Sequence, residues 1–130
     1  MQSERMLSFG LLLLRVLTGL GMAYHGYGKV FGGQITQLTE GVTAMGFPFP
    51  VAFAWLAALS EFAGGLFLAV GFATRFAAFF IFVTMSVAAF KVHAADPLQV
   101  KELALAYWTI SFAILFTGPG NYSVDRLRNR

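Results

Sequence analysis

Four long apolar runs leave this chain little choice of fold. They cover roughly residues 6–24, 51–72, 76–92 and 103–118. Each holds about 16–22 residues, which as helix reaches roughly 24–33 Å against a hydrocarbon core of about 30 Å. The runs are continuously apolar rather than alternating, so a bilayer admits them as helices and not as barrel strands. A soluble domain is excluded, because hydrophobic residues make up 58% of the chain and charged residues only 12%, where soluble proteins keep about a quarter charged. The expected fold is therefore all-α: one integral-membrane domain over residues 1–130, a membrane-spanning four-helix bundle. The first run resembles a cleavable leader at Gly21-Met22-Ala23. Its opening residues, however, hold one acid and one base, and Arg15 interrupts it, so it reads as a span.

The connections differ in kind. Ala73-Thr74-Arg75 is a tight turn, which makes the second and third helices an antiparallel hairpin. The first connection is long, and within it Ile35, Leu38, Val42 and Met45 recur on one helical face. That pattern predicts a short amphipathic helix over residues 34–45 lying on the membrane surface. Pro48 and Pro50 stop it. The third connection, residues 93–102, is polar. Arg5, Arg75, Arg126, Arg128 and Arg130 fall on one side of the bundle and Lys29, Lys91 and Lys101 on the other. This asymmetry predicts a multi-pass inner-membrane protein with both termini cytoplasmic. Tyr24, Tyr27 and Trp55 then fall near the opposite interface, as an aromatic belt requires.

Two charges lie inside the runs. Arg15 is about nine residues into the first helix and Glu61 about ten into the second, so each is expected roughly 14–15 Å deep. Equal depth and opposite charge predict an Arg15–Glu61 ion pair at the midplane, where an unpaired charge costs at least about 2.5–3.5 kcal/mol. Such a pair either serves function or fixes helix register, and both readings stay open at this point. Arg15, Thr18, Met22, His25 and Lys29 share one stripe of the first helix. Glycines beside that stripe, with Gly64 and Gly65 on the second helix, allow close packing. Thr18, Gly64 and Gly65 are also candidates for ligand contact.

His25, Lys29, His93 and Glu102 are expected at one level, at the outer mouth of the bundle. A polar head group could hydrogen-bond or exchange protons there. His25, His93 and Glu102 are also the residue types that ligate a transition metal, but they come from three elements with no ligand spacing, so no metal site is predicted. The chain has no Cys; any thiol or iron–sulfur chemistry must belong to a partner. The net charge of +3 is spread thinly, which excludes nucleic acid as a partner.

LLLLRVLTGLGMAYHGYGKVFGG, the GFPFP stop, LSEFAGGLFLAVGFATR, VHAADP and FTGPGNYSVDRL together resemble the DoxX family of small four-helix bacterial inner-membrane proteins. The resemblance runs from about Leu12 to Leu127. It picks out Arg15, Gly19, His25, Gly26, Lys29, Glu61, Gly64, Gly65, Arg75, His93, Gly118, Gly120 and Asp125. Members are linked with quinone-dependent oxidoreduction and with oxidative-stress defence. The resemblance thus implies a membrane subunit that docks a quinone or similar amphiphile and serves a redox enzyme, with no cofactor built into the chain. A noncatalytic scaffold or assembly factor for a membrane partner is the alternative, and a proton-coupled transporter is a third class. A homo-oligomer is compatible with each.

Overall fold

The computed structural model describes residues 1–129; the Arg130 assigned above to the basic side lies outside them. Six α-helices follow one another: α1 Gln2–Phe31, α2 Ile35–Ala44, α3 Pro50–Val70, α4 Thr74–Val87, α5 Leu98–Thr117 and α6 Val124–Arg128. A π-helical turn, Ala88–Val92, continues α4 without a break. Among the described residues there is no strand. By length and composition α1, α3, the α4 and π-turn unit, and α5 can each cross a membrane. The expected all-α bundle of four spans is therefore what the chain forms, and the amphipathic segment is α2.

The first helix departs most from its expected limits. It runs for 30 residues, about 45 Å, well beyond the apolar run at 6–24. Gln2–Arg5 at one end are tolerable helix formers, while His25–Lys29 at the other includes the poor formers Gly26 and Gly28 and stays helical where Gly26 packs on the α3 backbone. They extend the helix past the hydrocarbon rather than ending it.

Backbone contact between antiparallel α1 and α3 sets the register of the bundle. A side chain at Gly19 would collide with the Gly65 carbonyl and Ala69, and one at Gly26 with the backbone of Glu61 and Phe62. A Cβ on Gly65 would stand 2.6 Å from the Ala23 nitrogen. Without a hydrophobic effect between helices in lipid, such close approach is a main source of their adhesion. Gly64, one residue on, faces α4 instead and meets Ile81 at ordinary contact distance.

Met22, Leu68, Ala77, Ala78, Ile81, Met85 and Ile114 form the core. Helix α5 is joined to α4 by stacked aromatics, Phe82 with Trp108 and Phe112, and by a hydrogen bond from the Trp108 indole N–H to Ser86 Oγ at 2.9 Å. Helices α1 and α5 diverge toward the end that carries both termini. They leave an open apolar groove of about 690 Å3 lined by leucines of α1, Thr18 and Ile110.

Candidate functional site: two buried charges and two chambers

The structure separates Arg15 from Glu61. Gly26 stands opposite Glu61 in the glycine-set register, and Arg15 lies eleven residues, or about 16 Å, further along α1. Depth counted from the edges of apolar runs misplaced Arg15, because the glycine contacts slide α1 along α3 until Arg15 is level with the last turn of α3. The expected midplane ion pair is replaced by two separate arrangements.

Arg15, 1% exposed, is bound entirely by backbone carbonyls. Its Nε donates to Leu68 O at 3.2 Å, its Nη2 to Ala69 O at 3.4 Å and to Tyr122 O at 2.9 Å, and its Nη1 to Pro119 O. Leu68 and Ala69 are in the last turn of α3, whose carbonyls carry the negative end of its dipole; Leu68 O also accepts from the Gly71 N–H at 3.2 Å. A guanidinium, with five fixed donors, suits such a cluster of acceptors. Gly71 makes this possible. It has φ +75° at the end of α3, and a Cβ there would meet both Ser123 Cβ and the Arg15 guanidinium carbon.

Asp125 completes this knot from the other side. Its carboxylate accepts from the backbone N–H of Ala73 and Thr74, at 2.8 and 2.9 Å, and from the Thr74 hydroxyl at 2.7 Å. It thereby caps α4 from 51 residues beyond Thr74 in sequence, roughly the role an adjacent N-cap residue usually plays. Burial by itself would raise the Asp125 carboxyl. The hydrogen bonds from Thr74 and Ala73 and the nearby Arg128 charge outweigh it and hold the group below the ordinary carboxylate range. Ala73 accepts a left-handed backbone, φ 48°, to make the turn.

Glu61 lies toward the other end of the bundle, its side chain 4% exposed and paired with Lys29 Nζ of α1. The pair stands between two chambers, and Lys29, Glu61, Met85 and Ala88 line both. One chamber, of about 190 Å3, is bounded by α1, the π turn and α5 and presents His25, His93 and Tyr107. The other, of about 260 Å3, is almost wholly apolar. Leu38 and Val42 of α2 and Met45 just after it roof it, as the face read from the sequence requires, over Phe53, Leu56 and Ala57 of α3 and Val83 and Val87 of α4.

Of the residues expected at one mouth, His25, Lys29 and His93 do converge on the first chamber. His25 is exposed, and its ring meets Tyr107 edge-on at 6.1 Å. His93 closes the π turn, its backbone N–H bonded to Ala88 O, and its Nδ1–H donates to Asp96 Oδ2 at 2.8 Å. That bond leaves Nε2 as the uncommitted ring nitrogen. Glu102 is exposed on the first turns of α5 and lines neither chamber. Among the described residues no three His, Cys, Asp or Glu side chains converge on a metal-binding geometry. Thr18, Gly64 and Gly65 are buried in helix contacts away from both chambers.

The sequence reading missed Tyr107. It sits against Gly21, where a Cβ would lie 2.5 Å from the phenolic oxygen, inside the fourth apolar run, from which the sequence reading took no site residue but Glu102 at its start. A tyrosine deep in a span was itself the available signal, since a phenol there needs a polar partner. It also missed the π turn, a feature frequent at functional sites, for which the sequence offers no local cue.

The profile of the DoxX family matches residues 10–94, a stretch that holds Arg15, Lys29, Glu61 and both histidines and stops short of Tyr107 and Asp125. The chain is 36% identical over 126 residues to the protein named Inner membrane protein YqjF of Escherichia coli (strain K12), and the alignment covers 93% of each. No solved structure matches it. A family profile over more than half of its length and a relative matched nearly end to end agree with the motifs and the four spans: the chain belongs to the DoxX family.

Proposed function

We propose that the two chambers hold a small amphiphile of the quinone class, and that the protein serves as a membrane subunit for quinone-linked oxidoreduction or oxidative-stress defence. The observation that carries this reading is the placement of one buried carboxylate–ammonium pair on the wall shared by an apolar chamber and a polar one. Ligand pockets are mostly apolar with a few convergent polar groups, and the head group of a quinone needs hydrogen-bond donors to its carbonyls. Lys29 and Tyr107 offer donors, and His93 presents its uncommitted Nε2. Each chamber falls below the roughly 300–1,000 Å3 of pockets for drug-sized ligands. The fit is to one ring with little of its tail, the remainder lying in lipid. A bound quinone supplies the redox chemistry; the chain's own residues bind and orient it and exchange protons at its oxygens.

Four apolar spans and an inner-membrane relative support a multi-pass inner-membrane location. The termini end carries Arg5, Arg75, Arg126 and Arg128, against Lys29, Lys91 and Lys101 at the other. Under the positive-inside bias this puts both termini in the cytoplasm and the chambers toward the outer leaflet.

The test is to purify Tyr107→Phe and His93→Gln, verify wild-type melting, and titrate them and the wild type with a short-chain ubiquinone or menaquinone analogue. Losing one donor from a desolvated contact costs about 1–3 kcal/mol, so affinity should fall roughly 5- to 150-fold. Unchanged affinity in both variants, or no binding by the wild type, would overturn the proposal. It would leave the noncatalytic scaffold or assembly factor as the better reading.

A further inference from the structure

A third recess lies at the termini end, far from the chambers. It is a cleft of about 410 Å3 between the α3–α4 turn and the segment after α5, lined by Thr74, Arg75, Phe76, Asn121, Asp125, Arg126 and others. The one acidic group in it is already engaged, since the Asp125 carboxylate is aimed at the α4 N-terminus by three hydrogen bonds. Arg75 uses Nε and Nη2 on the Leu115 and Phe116 carbonyls that end α5, which fixes its guanidinium plane and leaves Nη1 uncommitted among the described residues. The Arg126 guanidinium has no acceptor among them, and neither does the side-chain amide of Asn121 or Asn129. Among the described residues the cleft therefore sets two arginines against one carboxylate and keeps unspent donors. On its membrane side it is bordered by Phe76, 74% exposed, with Phe116 equally exposed one helix away.

We infer that this cleft binds a phosphate-ester anion through Arg75, Arg126 and Asn121. The neighbouring aromatic rings fit a source in the bilayer, an anionic phospholipid whose chains lie beside Phe76. Guanidinium groups match phosphate oxygens in pairs. Each cation near an anionic surface contributes about 1 kcal/mol, or roughly fivefold in affinity.

The experiment uses the full chain in a neutral detergent, with melting followed as phosphatidylglycerol, phosphatidylcholine or soluble glycerol phosphate is added. The variants are Arg126→Gln and Asn121→Ala, both at exposed positions, so their melting without additive should match the wild type. Phosphatidylglycerol should raise the melting temperature of the wild type and phosphatidylcholine should not. Arg126→Gln should need about fivefold more phosphatidylglycerol for the same gain. An equal, Arg126-dependent gain with glycerol phosphate would support the site and name a soluble anion as its source. Equal stabilisation by both lipids, or a gain from phosphatidylglycerol that neither substitution changes, would overturn the inference.

Discussion

The two ends of this bundle hold their buried charges in opposite ways. At the termini end Arg15 has four carbonyl acceptors, Asp125 has three donors, and Gly71 leaves no room for even a methyl group. At the α2 end Glu61 has a single ionic partner, and that partner, Lys29, is 28% exposed and borders two chambers. A charge that spends four of its five donors on backbone carbonyls has little left to offer a ligand. A charge balanced by one flexible side chain beside empty volume can exchange that partner for another. Burial and charge alone, the features visible in the sequence, do not tell these cases apart; the number and kind of partners does.

The largest effect expected from this contrast is at Arg15. Arg15→Gln strips donors from several buried carbonyls, each costing about 1–3 kcal/mol when left unsatisfied, so a loss of at least about 3 kcal/mol is expected in detergent-solubilised melting. Glu61→Gln should act independently. Sites this far apart add within about 0.3–0.5 kcal/mol, so a double variant that loses clearly less than the sum would show that the two ends are one network after all.

A smaller effect is expected at Asp125, with a defined sign. Its carboxyl is held below the ordinary value of about 3.9. Between that value and its own lower one, the unfolded chain binds more protons than the folded chain. The stability it contributes is thus complete above about pH 4 and is lost as pH falls through the depressed value. Melting measured from pH 6 to pH 3 should decline, and Asp125→Asn should flatten that decline. A variant with the same slope as the wild type would refute the capping role.

The smallest effect is at Gly21. In Gly21→Ala the new methyl group displaces only the Tyr107 hydroxyl, the far end of a side chain. Stability should change by less than about 0.5 kcal/mol. Affinity for the quinone analogue should fall severalfold if Tyr107 is a donor to it. A change in melting with no change in affinity would place Tyr107 among the packing residues instead.

Much of the architecture was legible because hydropathy reports how often a segment meets lipid. It gave four spans, the tight turn before α4, and the face of α2 that now roofs the apolar chamber. Helix register is a different kind of information, held in contacts between backbones. Gly19 and Gly26, seven residues apart on α1, could have been matched to Gly65 and the Glu61–Phe62 peptide on α3, and that match alone would have set Glu61 near Lys29 rather than Arg15. The carbonyl partners of Arg15 were out of reach for a simpler reason: every residue has a carbonyl, so no side chain marks it. The convergence of His25, Lys29 and His93 was legible from shared depth. Tyr107, on the helix least buried in the bundle, was not.

The Arg15 knot also sets an order of events during synthesis. Its Pro119 and Tyr122 acceptors lie 104 and 107 residues downstream, so at about 5–20 residues per second a nascent chain carries this arginine for roughly 5–20 s before they exist. The α3 carbonyls come first and hold it only in part. A charge inside the first span is thus met in full only after the segment that follows the fourth span has been made, so closure of the knot comes after all four spans exist.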